Sequence, residues 1–400
     1  MQGTALALAL AAAMAWADDF MPMTPIGADC LPVRLDVEGA DEFARPAKIQ
    51  LTDDIDFSGL LTVADDGAAD ILVKIDEISG DRLRMTSEVT ADGELLSTRE
   101  YVASSTDLYS MVHAIADDAV YELTGERGIA STSIAYVLHT TGSYSLAARG
   151  FDPRGATVML RDTSVLTTPA WSPDGSSIAF TSFRSDNGDL YVYDVHSGRA
   201  RRILSRQGLN TTPCWTSDSG SLLVTLTEGG NADIYSYSIS GGSLERLTVR
   251  NSIETSASIS PTGQQVAFTS DRTGSPQLYV MDIAGAGAER LSYAHSYCDS
   301  PAWSPRGDLV AYAARTSGGA IHIFVMKPDG TDVRQVTFEG TLNEDPAWGP
   351  TGRHLAFSSD RDGRRSIYVV ELNSLAVKRL TDSGECYCAT WSPLPSLEAD

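Results

Sequence analysis

The chain reads as a small α/β region followed by an all-β six-bladed β-propeller, one blade of which is closed by the C-terminal strand. Three observations predict this: a Trp-centred motif recurs six times, each of the first five copies is followed by three strand-like runs, and the residues upstream have a different texture. The motif is Pro169-Ala170-Trp171-Ser172-Pro173-Asp174-Gly175, and its aligned position returns at Trp215, Ile259, Trp303, Trp348 and Trp391, with spacings of 44, 44, 44, 45 and 43 residues. Repeats of about 40–45 residues holding several short strands mark propeller blades.

Within a unit, the motif is followed by an apolar run such as Ile178-Ala179-Phe180 or Val266-Ala267-Phe268, then by Leu190-Tyr191-Val192 or Leu278-Tyr279-Val280. A last run, such as Arg246-Leu247-Thr248 or Gln335-Val336-Thr337, marks the outermost strand. Turn residues separate the runs, and their β-branched and aromatic content suits strands. The array starts and ends out of phase. Ile134–Val137, Tyr144–Leu146 and Thr157–Leu160 precede the first motif without an inner strand, while the last motif, Ala389-Thr390-Trp391-Ser392-Pro393, is not followed by three more. The C-terminal strand is expected to complete the blade begun near Ser131, which removes a free sheet edge.

Upstream, Ile71–Ile75 and Leu83–Val89 read as strands, Asp92-Gly93 as a hairpin turn, and Glu94–Tyr101 as the partner strand. From Thr106 to Leu123 the period becomes helical: Leu108, Met111 or Val112, Ile115, Ala119 and Leu123 share a face, and Gly125 is the stop. Asp117-Asp118 on this helix read as solvated, and Gly125–Gly128 as a hinge. Residues Thr4 to Ala15 are almost purely Ala, Leu and Met, and Ala15-Trp16-Ala17 fits a signal cleavage site. The expected division is a signal peptide over 1–17, an α/β domain over 18–128 and the propeller over 129–400. No later apolar run is long enough to span a membrane, so an exported monomer without direct membrane insertion is expected.

A formal charge of −23 repels phosphate backbones and argues against nucleic acid. Five cysteines, Cys30, Cys214, Cys298, Cys386 and Cys388, are an odd number. Cys214 aligns with small inner-strand residues and is expected to be buried, and a Cys298–Cys386 bridge is not expected across two blades. Cys386-Tyr387-Cys388 lacks the CxxC spacing and a nearby His, so no metal is expected there. The six histidines form no zinc pair, no Gly-x-Ser-x-Gly elbow is present, and Gly285-Ala286-Gly287-Ala288 reads as a turn between outer strands. No catalytic residue and no cofactor is expected.

Loops entering the innermost strands gather around the propeller axis. They offer Thr167, Asn210, Thr211, Glu254, Thr255, Asp299, Asn343 and Glu344, with Thr168, Ser300, Asp345 and Tyr387 beside them. Hydroxyls, amides and carboxylates around one rim suit hydrogen bonding to a protein element, and the acids favour a basic element or a cation.

The helix end Tyr121-Glu122-Leu123-Thr124-Gly125, the run Ile134–Val137, the repeated WSPDG-type turns and Phe268–Asp282 (FTSDRTGSPQLYVMD) together resemble the TolB family. That family is the periplasmic component of the Tol–Pal envelope system of Gram-negative bacteria. The resemblance implies a periplasmic binding protein rather than an enzyme. A Pal-like peptidoglycan-associated lipoprotein would sit at the tunnel mouth, TolA would engage the N-terminal region, and the system would serve outer-membrane constriction at division and envelope integrity. The chain departs from the pattern at Ile259, at Thr216-Ser217-Asp218-Ser219, and at its acidic start Asp18–Thr24. The alternative is a propeller hydrolase or lyase that uses tunnel carboxylates with a metal on a small ligand.

Overall fold

A computed structural model describes residues 30–78, 81–185 and 187–395. The expected signal peptide and Asp18–Thr24 lie outside the described residues. The upstream unit is a five-stranded sheet of β1 (Leu31–Glu38), β2 (Leu61–Val63), β3 (Ala69–Glu77), β4 (Arg82–Ala91) and β5 (Glu94–Ser104), with α1 (Asp41–Phe57) and α2 (Leu108–Thr124). Its order is β2-β1-β3-β4-β5, with β1 parallel to both neighbours and the other pairs antiparallel. Along β3 and β4 every second residue is buried, so one sheet face meets the helices and the other faces water. Val33, Ile71, Val73, Met85, Leu51, Ile55, Val112 and Ile115 form the core between them.

The hairpin forms at Asp92 (φ 52°) and Gly93 (φ 80°), two adjacent left-handed residues of the kind that match strand twist. Helix α2 follows a 3-10 turn at Ser105–Asp107 and stops at Gly125, whose φ of 74° lets its N–H reach the Tyr121 carbonyl at 2.8 Å. The sequence reading passed over β1, α1 and β2. In α1 an internal Pro46 and the acidic run Asp53-Asp54 obscure the helical period.

Six four-stranded blades follow. Five run in chain order, and the sixth has the order Glu385–Trp391, Ile134–Thr140, Ser143–Arg149, Thr157–Asp162. The C-terminal strand thus pairs antiparallel with the first propeller strand, Trp391 opposite Ile134, as the out-of-phase repeats predict. The Thr or Ser ending four of the outer-strand motifs has a defined task. The hydroxyls of Thr248, Ser292, Thr337 and Thr381 accept from the N–H groups of Ile234, Leu278, Ile323 and Ile367 at 2.8–2.9 Å. Gly285 sits in a turn between outer strands, as expected. Ser219 takes the positive φ (55°) that glycine supplies in other blades, so the altered second turn keeps its geometry.

Two sequence readings are corrected at the junction of the two units. Asp117 and Asp118 are not solvated carboxylates. Asp117 accepts from the Ala130 and Ser131 N–H groups at 2.8 and 2.9 Å, while Asp118 accepts from Tyr101 and pairs with Arg99. Gly125–Gly128 is tied down: Glu126 pairs with Arg306 and Arg353 at 3.0 and 2.9 Å, and the Arg127 carbonyl accepts from Arg353. No helix among the described residues is long and apolar enough to cross a membrane.

Candidate functional site

The six innermost strands, Leu166–Trp171, Asn210–Trp215, Glu254–Ile259, Cys298–Trp303, Asn343–Trp348 and Glu385–Trp391, line the axial channel and align position by position. Position 1 (Leu166, Asn210, Glu254, Cys298, Asn343, Cys386) is buried in every blade. Positions 2 and 3 are partly exposed, position 4 is buried except for the Pro/Ala edges it shows the channel, and position 5 is small.

This division separates the expected rim residues into two groups. Asn210, Glu254 and Asn343 are fully withdrawn from solvent and stitch neighbouring loops instead of facing a partner. The Asn210 amide donates to the Gly188 and Arg206 carbonyls at 2.8 and 2.9 Å, and that of Asn343 to Ile321 and Glu339 at 3.1 and 3.0 Å. Glu254 accepts from Ser252, from Ser270 at 2.9 Å and from Arg272 at 3.3 Å. A side chain so placed meets a docked protein only if the blade opens. Position 2 supplies the other group: Thr167, Thr211, Thr255, Asp299, Glu344 and Tyr387 are each partly exposed around one ring.

Position 3 adds a ring that the sequence reading only grazed. Thr168, Thr212, Ser256, Ser300, Asp345 and Cys388 all have φ between 47° and 54°, and the strand register slips at that point in every blade. Six left-handed β-bulges, two of them at β-branched Thr, break the inner ladder and re-aim the side chains around the channel. The signal in the sequence was the proline that follows four of these residues, at 169, 213, 301 and 346.

Charge is gathered on one side. Asp299 accepts from Thr269 at 2.8 Å, from Tyr297 at 3.1 Å and from the Ser300 N–H at 2.7 Å. Glu344 pairs with Arg365 at 3.0 Å. Burial, with Asp345 beside it, raises the Glu344 pKa, and burial, with Asp299 near, raises that of Asp345. Blades one to three present hydroxyls at the same level.

The two mouths differ. At the mouth where the innermost strands begin, the residue before position 1 is apolar in four of six blades and Tyr in a fifth: Val165, Leu209 and Ile253 are 41–51% exposed, with Tyr297 and Leu342 partly exposed. Val249, Tyr293 and Phe338, on loops that lead from an outer strand to the next innermost strand, are 74, 74 and 52% exposed. The sequence reading missed this collar because single apolar residues before strands look like strand starts. The other mouth is a funnel of about 450 Å³ lined by Trp171, Trp215, Ile259, Trp303, Trp348 and Trp391, with a following proline in every blade but the second, where Ser217 stands. The α/β unit packs on that side, where His354 bonds the Phe57 carbonyl at 2.7 Å and Arg306 and Arg353 hold Glu126.

Cys214 is half-buried against the core between blades, and that burial pushes its thiol up to about 11. Cys298 and Cys386 are separate thiols. The described histidines are scattered: His113 lies on α2, His322 bonds Thr337 and Asn343, His295 lies tilted against Phe324, His354 faces Phe57, His139 stacks on Tyr144 and His196 is exposed. Among the described residues no group of three or more His, Cys, Asp or Glu is placed to hold a metal.

The family model described as the TolB beta propeller domain matches residues 120–395. The chain belongs to the TolB propeller family. It is 31% identical over 231 residues to the Tol-Pal system protein TolB of Dechloromonas aromatica, covering 52% of this chain and 54% of the relative. It is 28% identical over 204 residues to that of Legionella pneumophila, covering 45% and 48%. The chain spans about half the length of the curated relatives it matches, which are named as system components and not as enzymes. The crystal structure of TolB from Acinetobacter baumannii has the same fold, with a TM-score of 0.81 at 22% identity over 94% of this chain and 98% of that one.

Proposed function

We propose that this TolB-family chain is a periplasmic adaptor of the Tol–Pal system that holds a Pal-type peptidoglycan-associated lipoprotein at the collared mouth of its propeller. The observation that carries this reading is the mouth itself. An exposed apolar collar surrounds a ring of hydroxyls and carboxylates, on the face left open by the α/β unit. Exposed apolar side chains gathered at one mouth are the kind of surface that a protein partner covers. Thr167, Thr211, Thr255, Asp299, Glu344 and Tyr387 would meet the partner, while Asn210, Glu254 and Asn343 keep the loops in place. Asp299, Glu344 and Asp345 favour a basic partner element. Engagement of TolA by the N-terminal region, a role in outer-membrane constriction at division, the monomeric state and the division at residues 17 and 128 belong to the same proposal.

A photo-crosslinking residue placed in cells at Leu209 or Phe338 is expected to capture the Pal-like lipoprotein, and one at Pro173 in the opposite mouth is not. Equal capture from both mouths, or from neither in a folded protein, contradicts the assignment.

A further inference from the structure

Among the described residues, the sheet of the α/β unit ends in an open edge: β5 is 11 residues long, contains no proline, and pairs there on one side only, with β4. Soluble proteins usually blunt such edges with short strands, prolines, charges or covering loops, because a bare edge templates pairing with another chain. Here the strand carries the charges Glu94, Arg99 and Glu100 and a bulge near its start: the register slips between Val89 and Thr90, leaving Leu96 outside the pairing. From Ser97 to Ser104 the strand is regular.

The direction of its free groups follows from the register. The Ser105 N–H donates to the Asp81 carbonyl at 2.6 Å, one step beyond the Arg82–Ser104 pair. Backbone groups alternate along a strand, so Ser97, Arg99, Tyr101 and Ala103 turn theirs toward β4. Thr98, Glu100, Val102 and Ser104 turn theirs outward. The edge also carries exposed apolar side chains, Leu95 at 60%, Leu96 at 45% and Val102 at 38%.

Charge decides the occupant. Residues 30–128 hold 22 Asp and Glu against 8 Lys and Arg. Beside the edge, Glu100 shares Arg84 and α2 presents Asp118 and Glu122, both leaning on the single Arg99. A second copy of this chain would bring the same acidic surface to the edge and be repelled.

We propose that β5 is a docking edge for an extended segment of another protein that alternates basic and apolar residues and joins the sheet as a sixth strand. Outward backbone groups give main-chain hydrogen bonds, the exposed Leu95 and Val102 take the apolar side chains, and the surrounding carboxylates select Lys or Arg. The site lies on the α/β unit and does not depend on what the propeller mouth binds.

The test uses the full chain and a labelled, end-blocked ten-residue peptide alternating Lys and Val, with a Glu/Val peptide as control, followed by fluorescence anisotropy. Saturable binding of the Lys peptide is expected, at least about tenfold tighter than the Glu peptide and weakened by salt. Thr98→Pro with Val102→Pro removes two outward N–H groups that have no partner in the sheet and is expected to weaken binding about tenfold. Thr98→Lys with Val102→Lys, which leaves the backbone unchanged, is expected to weaken it comparably by repulsion and decides the matter if the proline variant misfolds. Absence of binding, equal binding of the Glu peptide, or a folded Lys variant that binds as tightly as wild type overturns the proposal.

Discussion

His113 shows how one side chain ties the two units together. Its Nδ1 lies 2.6 Å from Asp54 on α1 and its Nε2 3.5 Å from Asp152 in the propeller, where Arg154 also holds Asp152 at 2.7 Å. Gln50 completes the group, donating to Asp54 and to the Phe151 carbonyl. Burial works against the charged ring, but the nearby carboxylates of Asp152 and Asp54 outweigh it and carry the pKa up to about 9. A folded-state pKa above the unfolded value near 6.5 means stabilisation that is full below about pH 6.5 and is lost as pH rises through about 9. The expected contribution is on the order of 3 kcal/mol. Urea unfolding from pH 6 to 10 is expected to show this loss in wild type and a flatter profile in His113→Gln; parallel profiles contradict it. Gly285 gives a second residue-scale expectation. At φ 82° an added Cβ would sit 2.3 Å from the Leu247 carbonyl, whereas one at Gly93, at φ 80°, meets nothing within 4 Å. Both Ala variants strain the backbone, but Gly285→Ala is expected to cost about 2 kcal/mol more by chemical denaturation.

At the scale of elements, the blades were legible because each strand obeys a local rule that repeats. Apolar runs at fixed offsets gave the second and third strands, and the missing inner strand before Ile134 gave the closure. What stayed hidden was set by tertiary contact. Asn210, Glu254 and Asn343 look like rim residues, yet the ring turns position 1 into the junction between blades and leaves position 2 in the channel. Asp117 looks solvated on a helical wheel, yet the chain folds back and gives it two N–H groups. Helix α1 is amphipathic only once its partner sheet is known, and Pro46 masks it. The closing strand offers the test at this scale. Trp391 donates to the Thr132 hydroxyl at 2.8 Å and packs against Phe151, so it joins the two ends of the ring. Trp391→Ala is expected to cost about 3–5 kcal/mol in equilibrium unfolding. A cost below about 1 kcal/mol, the range of surface changes, contradicts the closure as a source of stability.

Across the whole molecule, two mouths of one channel receive different treatment. The Trp funnel shares its face with the α/β unit, and the opposite mouth keeps its apolar collar in water with acids gathered on blades four and five. Exposed apolar side chains around a polar channel are costly to a solitary protein and useful to one that docks. The central claim is that this mouth receives the Pal-type partner, and calorimetry tests it most directly. The chain would be titrated with the periplasmic domain of its own organism's Pal-like lipoprotein, alongside a variant carrying Thr255→Ala, Asp299→Ala and Glu344→Ala. One-to-one binding that the variant weakens at least about tenfold is the predicted result. A folded wild type that does not bind, or a variant that binds as wild type does, would contradict it.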